Sequence, residues 1–241
     1  MWNLNNKTIV ISGATNGIGK AAAIELSKEN PKLLFTYRNQ SLADELLAEI
    51  KDISPNTQVQ SVYCDFSDQD SIKKCTNEIN DLCANIDVLI NNAGVVNTSY
   101  HETGEGIENT FAVNHLGYFL FTNLLLQKLK GHDETRIVNV SSAAHSFVKE
   151  MQWEDINFKN NFRRQLDLLP TCATDSDQPP VKRTMLMVKT GTNFQRMRLL
   201  DKLRVSYNLP FVPKRSFILL FLLNIRLELF DSTRARENYL I

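Results

Sequence analysis

Residues 12–19 read Ser12-Gly13-Ala14-Thr15-Asn16-Gly17-Ile18-Gly19. They stand between an apolar, β-branched run at 7–12 (KTIVIS) and an Ala-rich, helix-like stretch at 17–30. Glycines at a strand-to-helix turn permit a tight backbone path and let N–H groups approach a pyrophosphate. The helix N-terminus then adds a partial positive charge. The spacing is G-x-x-x-G-x-G, which differs from the general G-x-G-x-x-G dinucleotide pattern. Alone, such a turn is equally compatible with a purely structural role. Its place directly after the first strand gives it weight.

Outward from this turn, strand-like and helix-like runs alternate. Residues 32–37 (KLLFTY) read as a second strand. Residues 41–53 carry Leu42, Leu46, Leu47 and Ile50 on one helical face, with Ser41 as the expected N-cap. Residues 58–64 form a third strand, 68–83 a helix, 86–90 (IDVLI) a fourth strand and 136–140 (RIVNV) a fifth, while 105–130 contains a long apolar helix. Repeated β-α-β order predicts an α/β fold with a doubly wound parallel sheet, helices on both faces, and a ligand site at the carboxyl ends of the strands. After about residue 162 the alternation fails. Residues 175–180 (DSDQPP) read as a loop, 184–206 as helix-compatible, and 217–230 as strand or helix. The sheet is therefore expected to be incomplete or irregular after strand five.

Composition divides at the same place. The 241 residues carry 27 basic and 27 acidic side chains, a formal net charge of zero. Residues 1–158 hold 12 basic and 20 acidic side chains; residues 159–241 hold 15 and 7. Eight of the nine glycines lie at or before Gly131. A zero balance gives no general reason to expect a nucleic-acid partner. The four cysteines form no C-x-x-C pair, which disfavours a disulfide framework or a Cys-rich metal site. The first strand starts near Lys7, so no leader is expected before it. The longest apolar run, 217–223, falls well short of the roughly 20 residues a membrane span needs. A cytoplasmic setting is the expectation.

The ordered motifs resemble those of the short-chain dehydrogenase/reductase family. SGATNGIG is similar to its cofactor turn. Asn91-Asn92-Ala93-Gly94 after strand four matches its NNAG element, Asn114 in FAVNH its helix asparagine, and Ser141-Ser142 its strand-five serine. The wording NVSSAAH and AVNHLGYFLFTNLLL looks most like the retinol-dehydrogenase-like branch. The resemblance covers about residues 5–160. It implies a Rossmann-like fold, with 1–160 as an NADP(H)-binding domain and 161–241 as a divergent segment in place of the usual substrate-binding part. The implied cofactor residues are Gly13, Thr15, Asn16, Gly17, Ile18, Gly19, Asn92, Ala93 and Gly94.

The nucleotide type is read at the end of strand two. Residues Thr36-Tyr37-Arg38-Asn39 hold no carboxylate, and Arg38 suits a 2′-phosphate, favouring NADP(H) over NAD. The alternative for Arg38 is a solvated surface arginine. Asp65 resembles the family's adenine-contacting aspartate; the alternative is an aspartate capping the helix that follows.

The reaction implied is hydride exchange between a nicotinamide and an apolar, retinoid-like alcohol or carbonyl. By resemblance, Ser142 is the hydrogen-bond donor to the carbonyl oxygen, preferred to Ser141 as the second of the pair. The alternative is a serine satisfying strand-end backbone groups. Asn114 would hold a kinked helix and a relay water, or else bond only to backbone. His145 reads as a loop histidine. The family's proton donor is a tyrosine with a lysine four residues later. No tyrosine here has that partner, and none lies between Ser142 and Tyr207. Lys189, the nearest lysine candidate, has Met185 four residues before it. Three readings follow: an active or impaired oxidoreductase, a catalytically silent NADP(H)-binding protein, and a truncated or frame-altered product. Back-translation of 185–194 in shifted frames yields fragments resembling a tyrosine helix, which motivates the last. No metal is expected, and a homo-oligomer is compatible with the chain.

Overall fold

Alternation of buried side chains builds the molecule as two helical layers on one sheet. The computed structural model describes residues 3–129, 135–142, 155–160, 162 and 184–189. The elements are β1 (Thr8–Ile11), α1 (Gly17–Ser27), β2 (Lys32–Tyr37), α2 (Gln40–Ile53), β3 (Gln58–Tyr63), α3 (Gln69–Leu82) and β4 (Val88–Asn91). After these come α4 (Asn109–Phe111), a π-helical turn (Ala112–Leu116), α5 (Gly117–Leu124), α6 (Leu126–Leu129), β5 (Arg136–Ser142) and β6 (Thr184–Lys189). The strands are parallel throughout, in the order β3-β2-β1-β4-β5-β6. The order reverses between β1 and β4, which places a crevice at their carboxyl ends.

Successive strand side chains point to opposite faces. Ile9, Ile11, Leu33, Phe35, Val88, Ile90, Val138 and Val140 pack with Ala22, Ala23 and Leu26 of α1 and Ala43, Leu46 and Ile50 of α2. Their neighbours Val10, Leu34, Leu89 and Ile137 pack on the other face with Ile72 and Ile79 of α3 and Tyr118 and Phe121 of α5. The central strands are therefore apolar on both sides, as buried parallel strands require. β3 is an edge strand, and only Val62 within it is buried.

Three local expectations differ from the structure. Helix α2 starts one residue earlier and is capped by Asn39, not Ser41: Asn39 is extended (φ −112°) and its side chain accepts from Leu42 N at 3.2 Å. The long helix expected within 105–130 is broken into shorter elements. The buried carboxylate of Glu108 starts α4, accepting from Thr110 N at 2.9 Å and Phe111 N at 2.7 Å. A π turn follows, and α5 and α6 meet at Leu125 (φ −92°, ψ 0°). Finally, 184–189 is a strand paired with β5, with Thr184 opposite Ile137 and Lys189 opposite Ser142, although its sequence is helix-compatible. Residues 175–180, 217–230 and His145 lie outside the described residues. Among the described residues, no helix is long and apolar enough to cross a membrane.

Candidate functional site

Ser12 directly follows β1 and turns its side chain into the crevice floor. Its Oγ accepts from Asn92 N at 2.9 Å and Ala93 N at 3.0 Å. Asn92 returns the contact, its Nδ2 donating to Ser12 O at 3.0 Å and Gly13 O at 2.8 Å. These four bonds join the ends of β1 and β4 across about 80 residues of sequence. Gly13 has φ +64°, and its N–H donates to Thr36 Oγ1 at 3.1 Å, tying the turn to β2 as well. A Cβ on Gly13 would stand 2.6 Å from Ala93 Cα. A Cβ on Gly19 would collide with Gly13 O and Asn92 Nδ2. Gly17 differs: its φ is +55°, and among the described residues nothing lies within 4 Å of where a Cβ would be. Asn16 caps α1, accepting from Gly17 N at 2.7 Å.

All eleven residues singled out for the nucleotide line one cleft of about 440 Å³: Gly13, Thr15, Asn16, Gly17, Ile18, Gly19, Arg38, Asp65, Asn92, Ala93 and Gly94. Arg38 is 59% exposed, and its Nη1 stands 4.0 Å from Asp65 Oδ1. Asp65 does not cap α3. Asp68 does, accepting from Asp70 N and Ser71 N. Asp65 Oδ1 instead accepts from Ser67 N at 2.9 Å and Ser67 Oγ at 2.7 Å, a local turn that aims the carboxylate at the cleft's edge.

Asn114 sits in the π turn, where the extra residue per turn widens the helix and presents its side chain sideways. Its Oδ1 accepts from Val95 N and its Nδ2 donates to Val95 O, each at 2.9 Å. The pair clamps the helix to the segment leaving β4. Ser142 is the last residue of β5, and its backbone pairs with Lys189. Ser141 is buried and lies on the α5 side of the sheet with Asn139 and Ile137.

Sequence reasoning missed Ser12, Thr36, Cys64 and Val95 as parts of this site. Ser12 and Thr36 carried a signal, since each is a polar residue at the carboxyl end of an apolar strand. Cys64 lines the cleft, and its thiol pKa is pushed up by a hydrogen bond with Cys75 and by burial, so it stays protonated. Among the described residues no His, Cys, Asp and Glu group is arranged to hold a metal ion.

The model of the short chain dehydrogenase family matches residues 7–153. The chain is 36% identical over 153 residues to retinol dehydrogenase 13 of Homo sapiens, covering 64% of this chain and 46% of that protein. It is 35% identical over 156 residues to polyprenol dehydrogenase of Homo sapiens, covering 63% and 47%. The fold is similar to the crystal structure of an uncharacterized protein from Mycobacterium paratuberculosis, with a TM-score of 0.57 and 31% identity over 67% of this chain and 55% of that one. The chain spans about half the length of the curated relatives it matches.

Proposed function

The chain belongs to the short-chain dehydrogenase family, and from that premise we propose that it binds NADP(H) in the cleft between β1, β2 and β4. The observation that carries this reading is the locked glycine turn. Gly13 and Gly19 are packed too closely for any side chain, whereas Gly17 opens onto free space, as close approach of a pyrophosphate to backbone requires. The arrangement suits a dinucleotide: α1 begins at the turn, and Asp65 lines the same cleft as Asn92–Gly94, where it would contact the adenine. Arg38 is loosely held by Asp65 at 4.0 Å and keeps guanidinium donors for a 2′-phosphate. No carboxylate stands at the end of β2 to prefer a ribose hydroxyl.

The reaction class we infer is oxidoreduction of an apolar alcohol or carbonyl. Retinol and polyprenol, named in two relatives, are both isoprenoid alcohols, which points to that substrate class. The nicotinamide supplies or accepts hydride when the cofactor is bound. Ser142, at the end of β5, donates a hydrogen bond to the substrate oxygen as negative charge develops there. Asn114 holds the π turn against Val95 and so keeps the helix beside the cleft in place.

A second reading rests on one observation: no tyrosine lies between Ser142 and Tyr207. Loss of a positioned proton donor typically removes about 10²–10⁴-fold in rate. On this reading the chain binds NADP(H) and turns over nothing. Titration of the purified chain with NADPH and NADH, followed by a retinal reduction assay, separates the two. Binding with aldehyde reduction supports the enzyme, binding alone supports the silent protein, and binding of neither nucleotide overturns both. Arg38→Ala should weaken NADPH about tenfold and leave NADH unchanged, the size of one exposed charge-assisted contact; equal loss for both nucleotides contradicts the phosphate role.

A further inference from the structure

Beneath the cleft, between the sheet and α5, lies a polar cluster that the cofactor reading does not use. Asn91 closes β4 and is 1% exposed. Its Nδ2 donates to Thr122 Oγ1 of α5 at 3.0 Å and to Asn139 Oδ1 of β5 at 2.8 Å, so both amide hydrogens are engaged. Its Oδ1 has no partner among the described residues. Asn91 pairs in register with Asn139, and Ser141 is two residues further on β5, on the same face. Ser141 is 5% exposed, and its Oγ also has no partner among the described residues. Two buried polar atoms without partners therefore stand diagonally across one strand pair. Buried polar groups are nearly always satisfied, by protein or by ordered water. The opposite assignment of the Asn91 amide exchanges an orphaned carbonyl for an orphaned NH₂ and leaves the need unchanged.

We propose that Asn91, Asn139, Thr122 and Ser141 enclose a bound structural water that bridges Asn91 Oδ1 and Ser141 Oγ. Water suits the pair because it both donates and accepts: it gives one hydrogen to the Asn91 carbonyl and takes or gives one at the Ser141 hydroxyl. The bridge crosses from β4 to β5 one residue before Asn92 and one residue before Ser142. It therefore holds the spacing between the strand ends that carry these two site residues, and it does so whether or not the cleft takes NADP(H). Ser141, on this account, faces the helix layer as a water ligand rather than the reaction.

A high-resolution crystal structure of the full chain tests this. The expected result is a solvent peak within hydrogen-bonding reach of both Asn91 Oδ1 and Ser141 Oγ. A direct protein partner for both atoms, or a dry site, overturns it. In solution, water–amide cross-relaxation should show a long-lived water at Asn91, Asn139 and Ser141 in the wild type and lose it in Ser141→Ala. This variant removes one water ligand and leaves the Asn91 bonds to Thr122 and Asn139 intact. Unchanged cross-peaks in Ser141→Ala, or none in the wild type, contradict the bridge.

Discussion

Gly13 concentrates three constraints in one residue. Its backbone is left-handed, its N–H is spent on Thr36, and its absent side chain makes room for Ala93. Gly13→Ala should destabilise the fold by about 1–3 kcal/mol, since a strained φ and a backbone collision act together. Chemical denaturation measures the loss, and a stability within error of wild type would contradict the packing argument. Gly17→Ala meets only the φ penalty, because no described residue occupies the space in front of it. The two glycines look equivalent in the motif, and only their surroundings distinguish them. Arg38 and Asp65 make the same point. Arg38 is a candidate from its place after strand two, and Asp65 from its resemblance to the family's aspartate after strand three. That Asp65 turns toward Arg38 and leaves capping to Asp68 depends on the path of the loop.

At the scale of elements, the helices were legible as periodicities but not as ends. Glu108 is fully buried and supplies both oxygens to the first turn of α4. Glu108→Ala should cost about 1–3 kcal/mol, because two backbone donors lose their acceptor inside the protein. Glu108→Gln should recover part of it, and a urea midpoint unchanged in Glu108→Ala would sink the claim. The π turn could not be read from a 3.6-residue pattern, since one inserted residue changes the phase without changing composition. The segment 155–160 docks on the loop before α4. Asn157 Oδ1 accepts from Glu108 N at 3.2 Å, and Lys159 Nζ lies 2.9 Å from Glu102. Tyr100 donates to Glu102 at 2.6 Å and packs edge-on against Phe162, 5.6 Å between ring centres. The hydrogen bond from Tyr100, then Lys159, lowers the Glu102 pKa. Burial and the bond to Glu102 push Tyr100 up to about 12. A carboxylate with a depressed folded pKa contributes stability that is present above its unfolded value and lost as pH falls through the folded one. The Tyr100 and Phe162 ring resonances should accordingly part on acidification below the usual carboxylate range. Rings that keep their contact there would show that the ion pair does not hold the clasp.

For the whole molecule, the site is a product of the sheet. Residues from β1, β2, β3 and β4 meet only because the strand order reverses at β1. A ligand that touches all four elements stabilises them together. NADPH at a hundred times its dissociation constant should raise the unfolding free energy by about 2.7 kcal/mol. Removing the nucleotide should return it, and an unchanged denaturation midpoint would argue that the cleft does not take it.

The sequence by itself determined the parallel α/β architecture and the location of its crevice. Both follow from local signals: apolar runs of strand length, helical periodicity, and glycines at the one turn that must bend sharply. Those signals are properties of neighbouring residues, and they persist wherever the chain goes. Only the tertiary structure decided that Asn92 locks the glycine turn, that Asn114 clamps Val95, and that β6 extends the sheet beside β5. These contacts join residues far apart in the chain. They depend on strand register and crossover path, which no single stretch of sequence encodes alone.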